Sequence, residues 1–235
     1  MSTPLNGSVL KAFSILGLFS KARPEITANT VASELGTNVA TAHRFLLTLE
    51  AAGALVSYRR GCFALGGTIE ELGRLAESVN PIATKVQPII NEVSRDIRES
   101  VMVCRLGRRG PTCIAVAVSD QPISVKVDVG TVLPIDVTAH GKLWLAHMSK
   151  PDQSNWLKDT TQDLKDALTK IKAQGFALNQ GDNEPDLGAV AVPVYGDDGK
   201  LSMTISVFGM LSRFNAPLIE RSVASLTHAA KAIGA

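Results

Sequence analysis

The stretch Thr37-Asn-Val-Ala-Thr-Ala-His-Arg-Phe-Leu-Leu-Thr-Leu-Glu-Ala-Ala52 decides the fold of the first part of the chain. Its apolar side chains recur at steps of three and four residues, which predicts a helix with one buried face. The residues predicted to face inward are Ala42, Phe45, Leu46 and Leu49, and those predicted to face outward are Ala40, Arg44 and Thr48. Thr37 is the expected N-cap of this helix, and Gly53 is expected to end it.

The residues before this stretch predict two further helices. Apolar residues recur with the same spacing over residues 8–20, and these are Val9, Ala12, Phe13, Leu16 and Phe19. A shorter helix is predicted to begin after Thr27, its N-cap, and to end at Gly36.

Two short β-prone runs follow, over residues 54–58 and 62–65. The residues that join them, Arg59, Arg60 and Gly61, predict a hairpin with a basic tip. Two helices joined by a tight turn and followed by a basic β-ribbon are typical of a winged helix-turn-helix. The sequence therefore predicts a DNA-binding module over residues 1–67.

The remainder predicts a linker helix over residues 68–80, ended by Asn80-Pro81, and a second domain over residues 81–235. The helical patterns of that domain cover residues 82–98, 141–148, 164–174 and 218–233. The strand-like runs cover residues 100–106, 112–118, 124–129, 189–194 and 201–208. Hairpin-like strands with helices between them predict an α+β fold, in which the helices pack on an antiparallel sheet.

Composition describes an ordinary globular protein, with 45% hydrophobic and 20% charged residues among 235. Residues 1–66 carry six Lys and Arg against three Asp and Glu, whereas the rest is nearly balanced. This asymmetry slightly favours a polyanionic partner for the first domain. No apolar run reaches the roughly 18 to 20 residues of a membrane span, and no targeting segment is visible, so we expect a cytoplasmic protein without membrane contact.

The sequence predicts no catalytic, metal or cofactor site. Cys62, Cys104 and Cys113 lack CxxC spacing and nearby histidines, which disfavours a disulfide framework or a zinc site. The signatures of serine hydrolases, zinc proteases and P-loop nucleotide binders are not found in the sequence, and the acidic segment 181–186 lacks the spacing of a calcium loop.

Several stretches are similar to the IclR family of bacterial regulators. In the first domain these are residues 7–16, Val31-Ala-Ser-Glu-Leu-Gly36, Thr41-Ala-His-Arg-Phe-Leu46 and Gly61-Cys-Phe-Ala-Leu-Gly66. In the second they are residues 129–134, Gly141-Lys142, Gly175-Phe-Ala-Leu-Asn179, Val190-Ala-Val-Pro-Val194 and Ile205-Ser-Val-Phe-Gly209. The resemblance implies a homodimer joined through the DNA-binding domains and paired further into a homotetramer. It also implies a GAF-like effector-binding domain, and a repressor or activator of a catabolic operon.

The predicted DNA contacts lie on the third helix and the hairpin tip. Thr41, His43 and Arg44 fall in the first half of the recognition helix, the part that enters the major groove of a double-stranded operator, with Ala40 and Thr48 on the same face. Arg59 and Arg60 at the wing tip are expected to contact the DNA backbone or minor groove. A solvated Arg44 and a packing role for His43 remain the alternatives.

The predicted effector site centres on Thr138-Ala-His-Gly-Lys142. A threonine cap leaves backbone N–H groups at a helix start, which attracts anions, and Gly141 is expected to let a ligand approach. The resemblance places a small organic acid at Thr138, Ala139, His140, Gly141, Asn179, Ala191, Ser206 and Phe208. The side chains at Asn179, Ala191 and Phe208 are less acidic and more apolar than in family members that sense small keto acids. They therefore favour a larger carboxylate, aromatic ones included; the alternative is that Phe208 itself fills the cavity.

Two alternatives to a ligand-responsive regulator remain open. In both, the protein has a helix-turn-helix, and its second domain is either an uncharacterised enzyme or purely an oligomerisation module. We expect the carboxylate of the effector beside His140, with the apolar body toward Phe208; a capping or packing role for His140 is the alternative.

Overall fold

A computed structural model describes residues 5–20, 22–79, 82–157 and 161–234. The chain divides into two units, residues 1–81 and 82–235. The predicted break at Asn80-Pro81 lies outside the described residues. Within the described ranges, no helix combines the length and apolar character that crossing a membrane requires.

The first unit contains the predicted helices α1 (Gly7–Leu16), α2 (Ala28–Leu35) and α3 (Val39–Ala51). Thr27 caps α2, as predicted, because its hydroxyl accepts the Thr30 N–H at 3.2 Å. Gly36 ends α2 in the left-handed conformation, with φ of +60°. The predicted cap of α3 is wrong: Asn38, not Thr37, accepts the Thr41 N–H, at 2.7 Å. The Thr37 N–H instead bonds the carbonyl of Ala32 and completes the end of α2.

Helix α1 differs from its prediction in length and in its buried face. It ends at Leu16 rather than at Ser20. Ile15 is completely buried, whereas Val9 and Phe13 are 51% and 61% exposed. Four of the five predicted positions share a helix face, but only the C-terminal part of α1 packs on the core of its own chain. The apolar N-terminal part is left uncovered within the described residues.

Three strands complete this unit: β1 (Glu25–Thr27), β2 (Leu55–Arg59) and β3 (Cys62–Leu65). They form an antiparallel sheet in the order β1-β3-β2. The sequence predicts the β2–β3 hairpin but not β1, because three residues beside a proline carry too little pattern to be read as a strand. Helix α4 (Gly67–Val79) follows the hairpin, where the linker helix is predicted.

The second unit is built on a five-stranded antiparallel sheet in the order β5-β4-β8-β7-β6. Its strands are β4 (Ser100–Leu106), β5 (Pro111–Ala117), β6 (Ala177–Gln180), β7 (Leu187–Tyr195) and β8 (Leu201–Met210). The helices are α5 (Ile82–Ile97), α6 (Ala139–His147), α7 (Lys150–Ser154), α8 (Gln162–Gln174) and α9 (Ala216–Gly234). The four predicted helices, and the predicted strands other than the one at residues 124–129, begin and end within two residues of their expected bounds. Strand β6 and the short α7 were not predicted.

Strand β8 serves both layers of this unit. Met203, Ile205 and Val207 pack in the large core that includes residues of α5 and α9. The alternate residues Thr204, Ser206 and Phe208 point to the opposite face of the sheet, because successive side chains of a strand point to opposite faces. Helices α6 and α8 pack on that opposite face, where they share a core with Ala177 and Ala191.

The predicted strand at residues 124–129 is wrong. This segment forms no ladder. Its alternating side chains pack against the sheet instead: Val125 and Val127 contact the cluster that contains Met102 and Phe208. The carbonyl of Val125 also accepts a hydrogen bond from the Ser100 hydroxyl, at 3.2 Å. An alternating pattern therefore arises here from a segment that lies over a sheet face rather than within the sheet.

Candidate DNA-binding surface and effector site

The outward face of α3 carries a cationic side chain with no partner. Ala42, Leu46 and Leu49 are buried, as predicted, and hold the other side of the helix on the core. The Arg44 side chain is exposed, and among the described residues its guanidinium has no hydrogen-bond or ion-pair partner. Its backbone carbonyl accepts the Thr48 hydroxyl at 2.8 Å. All five guanidinium N–H groups of Arg44 are thus available to a ligand outside the chain.

The other predicted residues of α3 share this surface. Ala40, His43 and Thr48 are exposed, and Thr41 is half-buried. The His43 ring contacts the edge of Phe63 on β3, with centroids 6.3 Å apart. This contact orients the imidazole while leaving it accessible, so packing and ligand contact are compatible for His43.

The wing tip presents two arginines in different electrostatic states. Arg59 forms an ion pair with Glu25 of β1 at 2.5 Å, and the contact raises the pKa of its guanidinium. Arg60 lies in the turn beside Gly61, whose φ is +77°, and has no ion-pair partner within the described chain. The partner of Arg59 comes from the strand that the sequence did not predict. Only the charge of Arg60 is therefore uncompensated at this tip.

Four of the predicted effector residues lie on one face of the second-unit sheet. Strand register pairs Ala191 with Ser206 and Ala189 with Phe208, and it pairs Asn179 with Ala189 on the next strand. Same-face neighbours on adjacent antiparallel strands are about 5 Å apart. The register therefore brings Asn179, Ala191, Ser206 and Phe208 together, although they are separated by up to 29 positions along the chain.

His140 connects this face to α6. Only 2% of the residue is exposed. Its Nδ1 lies 2.7 Å from the Thr204 hydroxyl, and its Nε2 lies 2.7 Å from the Ser206 hydroxyl. Because the Thr204 hydroxyl donates to the Cys104 carbonyl, we assign the proton of the neutral ring to Nδ1, so that Ser206 donates to Nε2.

Burial lowers the pKa of His140 to about 3. The ring is therefore neutral at physiological pH, and a hydroxyl already contacts each nitrogen. This geometry gives His140 a structural role as a cross-link between α6 and β8. A direct contact between His140 and an effector remains a prediction.

The start of α6 is tightly packed. The Thr138 hydroxyl accepts the Gly141 N–H at 3.1 Å and donates to the Pro134 carbonyl at 2.6 Å, so Thr138 is the cap that the sequence predicts. A Cβ at position 141 would overlap the backbone of Ile135. The space beside Gly141 is thus taken by the chain itself, which corrects the expectation that this glycine leaves room for a ligand. Ala139 is buried beside it.

Asn179 and Lys142 form a polar corner at one side of the same face. The Asn179 side-chain carbonyl accepts the Asp182 N–H at 2.9 Å and so shapes the turn that follows β6. The ammonium of Lys142 lies 2.6 Å from the Asp182 carboxylate. Sequence reasoning did not assign Lys142 a role, although it stands in the quoted Gly141-Lys142 pair. Lys142 places a positive charge close to predicted effector residues.

The opposite side of the face is apolar. Phe208 is 4% exposed and packs with Met102, Cys104 and Cys113. The Cys113 thiol is in direct contact with Cys104, and burial raises the pKa of the Cys104 thiol. Cys104 and Cys113 are both buried, whereas Cys62 in the first unit is half-buried. The face thus changes from polar at Asn179 to apolar at Phe208.

Comparison with known proteins decides the family. Residues 8–57 match the IclR helix-turn-helix domain, and residues 75–235 match the C-terminal domain of bacterial transcriptional regulators of the IclR type. The chain belongs to the IclR family of bacterial transcriptional regulators. The IclR resemblance seen in the sequence is confirmed, as is the combination of an N-terminal helix-turn-helix with a C-terminal α/β domain.

Individual IclR relatives cover nearly the whole chain. The Pca operon regulatory protein of Acinetobacter baylyi is 25% identical over 85% of this chain and 77% of its own length. An IclR family regulator from Brucella abortus shares 18% identity and a TM-score of 0.82, covering 97% of this chain and 91% of that one. An IclR homologue from Microbacterium hydrocarbonoxydans, solved with 4-hydroxybenzoate, shares 21% identity and a TM-score of 0.71 over 97% and 98% of the two chains.

The curated IclR relatives are named as regulators of transcription, not as enzymes. This chain is accordingly a DNA-binding transcriptional regulator and not an enzyme.

Proposed function

We propose that this regulator controls a catabolic operon by binding double-stranded operator DNA in response to a small organic carboxylate, aromatic acids included. The operator contacts are assigned to Ala40, Thr41, His43, Arg44, Thr48, Arg59 and Arg60. The effector contacts are assigned to Asn179, Ala191, Ser206 and Phe208 on the sheet face, with Thr138, Ala139 and His140 beside them. Gly141 is left out of this set because the Ile135 backbone fills the space next to it. The protein acts in the cytoplasm, where bacterial operators lie.

The unpartnered guanidinium of Arg44 carries the DNA assignment. A surface arginine that serves stability is commonly held by a neighbouring carboxylate, as Arg23 is by Glu34 at 2.8 Å in the same unit. Arg44 has no such neighbour and stands on the exposed face of α3. A guanidinium in that position either forks onto guanine O6 and N7 or holds a phosphate.

The wing adds affinity rather than sequence preference. Contacts from a β-hairpin tip to phosphates position a protein on DNA without reading bases. Arg60 is free to make such a contact, whereas Arg59 must first leave Glu25. The net gain from Arg59 is therefore expected to be smaller than that from Arg60.

The effector assignment rests on the composition of the sheet face. Asn179, Ser206 and Lys142 make one part of this face polar, although Lys142 must first leave Asp182 to meet an anion, and Ala191 and Phe208 make the other part apolar. The domains proposed for this function are residues 1–67, the linker helix 68–80 and the GAF-like domain 81–235. Support for an aromatic acid comes from the structural neighbour that was solved with 4-hydroxybenzoate.

We also propose that the protein is a homodimer joined through the first unit, and that dimers pair into a homotetramer. Two helices of that unit each carry a row of exposed apolar side chains. On α1 these are Val9, Leu10 and Phe13, and on α4 they are Leu72, Leu75 and Val79, each more than 40% exposed. Such a surface in a soluble protein indicates a protein contact, and a second copy fits the twofold symmetry of helix-turn-helix operators.

The test measures binding to the intergenic DNA beside the protein's own gene, by fluorescence anisotropy at several salt concentrations. Arg44→Ala is expected to cost about 1 to 3 kcal/mol and to relax sequence preference if the contact is to a base. If the contact is to phosphate, the salt slope falls by about 1 and all sequences weaken alike. Arg60→Ala should weaken binding more than Arg59→Ala.

The matched control is Arg74→Ala, which removes an exposed arginine of α4 that pairs with Glu70 at 3.4 Å. This variant should retain affinity. A folded Arg44→Ala protein with unchanged affinity and salt slope would remove Arg44 from the interface.

A further inference from the structure

A groove at the C-terminal end of α6 contains both tryptophans of the chain. Its volume is about 600 Å³, and its lining includes Trp144, Trp156, Tyr195, His147 and Asn155. This volume lies within the range of small-molecule sites, which is roughly 300 to 1,000 Å³. Trp144 is one helical turn beyond His140. The groove therefore lies outside the set of residues assigned to the effector.

One wall of the groove contains a hydrogen-bond donor without a partner. Trp144 is 9% exposed, and its indole N–H is buried with no acceptor among the described residues. Buried polar groups are nearly always satisfied, and an orphan donor costs about 1 to 3 kcal/mol. A ligand that supplies an acceptor, after a small displacement of the side chains that cover the nitrogen, would remove this cost.

Hydrogen bonds fix the orientation of the polar groups on the aromatic side of the groove. His147 Nδ1 lies 2.9 Å from the Leu143 carbonyl, so this nitrogen must carry a proton and donate. In the neutral ring, His147 Nε2 then accepts from the Tyr195 hydroxyl, at 2.9 Å. Partial burial raises the pKa of Tyr195, which keeps its hydroxyl protonated.

The two charged groups at the groove have partners and opposite signs. The Asp152 carboxylate accepts a hydrogen bond from the Ser149 hydroxyl, at 2.5 Å. The Lys200 ammonium lies 3.6 Å from Asp198 and is 84% exposed. The groove thus carries one negative and one positive group at its lining, and these opposite charges give it no net preference for an anion or a cation.

We propose that this groove is a second ligand site, which takes a neutral, planar aromatic molecule with a hydrogen-bond acceptor. The rings of Trp144, Trp156 and Tyr195 offer surfaces for a flat apolar body. The Trp144 N–H offers a buried polar contact that no described residue satisfies. This ligand differs in charge from the carboxylate proposed for the sheet face, and the two sites share α6 as a common wall.

The test uses the full-length protein with ¹⁵N-labelled tryptophan, whose indole spectrum holds one signal for each of the two tryptophans. Trp144→Phe and Trp156→Phe assign the signals. Four probes share one ring: acetophenone, ethylbenzene without an acceptor, benzoate and benzylammonium. Acetophenone is expected to shift both indole signals saturably, with the Trp144 proton moving downfield. It should bind roughly tenfold more tightly than ethylbenzene, the value of one buried hydrogen bond to an otherwise orphan donor.

A variant pair locates the binding. Asn155→Phe places a ring in the groove from its rim and should abolish the acetophenone shifts. Ser154→Phe changes the neighbouring exposed residue, which does not line the groove, and should leave them intact. Tighter groove binding by benzoate or benzylammonium would overturn the neutral class. The site would be overturned if no probe moved the indole signals, if ethylbenzene moved them as much as acetophenone does, or if the acetophenone shifts persisted in Asn155→Phe. Shifts that depend on protein concentration alone would also overturn it, because they indicate that a second copy of the chain occupies the groove.

Discussion

The buried imidazole of His140 predicts a specific loss of stability in acid. In the unfolded chain a histidine has a pKa near 6.5, whereas burial lowers the pKa of His140 in the native state to about 3. The unfolded state therefore binds a proton that the native state rejects. The stability that the neutral His140 contributes is fully present above pH 6.5 and is lost progressively as the pH falls from 6.5 toward 3.

The magnitude follows from the unfolded pKa alone over most of this window. At pH 5, 1.5 units below 6.5, the cost is about 2 kcal/mol, since each unit is worth about 1.4 kcal/mol. This value barely changes for any native pKa below about 4. With a urea m-value of about 2 kcal/mol/M, the unfolding midpoint should fall by about 1 M between pH 7.5 and pH 5 through His140 alone.

The assay is urea unfolding at pH 7.5 and pH 5.0, followed by tryptophan fluorescence. Both tryptophans lie in the second unit and report on the domain that contains His140. His140→Gln should be less stable at pH 7.5, because Thr204 and Ser206 lose their partner. Its midpoint should then fall by about 1 M less than that of the wild type on acidification.

His228→Gln is the matched control, because His228 is an exposed histidine on α9. Its midpoint should follow the wild type at both pH values. An equal loss in wild type and His140→Gln would refute the reasoning. So would a His140 ring whose NMR signals titrate near pH 6.5, a measurement that does not depend on whether the variant folds.

Three further predictions follow from the fold. A fragment of residues 82–235 should melt cooperatively, gain thermal stability with 4-hydroxybenzoate but not with its methyl ester, and fail to bind DNA; a non-cooperative melt would mean that the two units share a core. Gly141→Ala should cost about 1 to 3 kcal/mol in calorimetry, because its Cβ overlaps Ile135, whereas Gly73→Ala in open space on α4 should be neutral or stabilising. Leu75→Glu should reduce the mass in sedimentation velocity toward one 24.9 kDa chain, unlike Glu71→Gln on the same helix; an unchanged mass would place the dimer contact elsewhere.

The sequence predicts most helices and strands because their apolar spacing reflects burial within one chain. It misjudges Val9 and Phe13 for the same reason: periodicity reports which residues are apolar on one face, but not whether that face packs on the same chain. Residues 124–129 show a related limit, since a segment lying across a sheet and a strand within it produce the same alternation.

The candidate site is predicted unevenly. Arg44 could be placed on an outward face from spacing alone. The environment of His140 could not, because Thr204 and Ser206 are more than 60 positions away along the chain. Likewise, the ion pair of Arg59 depends on Glu25 and on a strand too short to leave a pattern. Residues that are distant in the sequence thus determine the hydrogen-bond partners of His140 and the ion pair of Arg59.

The division of labour along β8 has a consequence for how such regulators diverge. Met203, Ile205 and Val207 are committed to the packing that keeps the domain folded, whereas Ser206 and Phe208 face the proposed ligand. Substitutions on the two faces of this strand are therefore expected to have different effects. Those on the core face change the stability of the domain, and those on the ligand face change which compound it binds. A lineage can change the compound it senses at Phe208 and its neighbours on the same face, while the core on the other side of the sheet and the His140 contacts stay as they are.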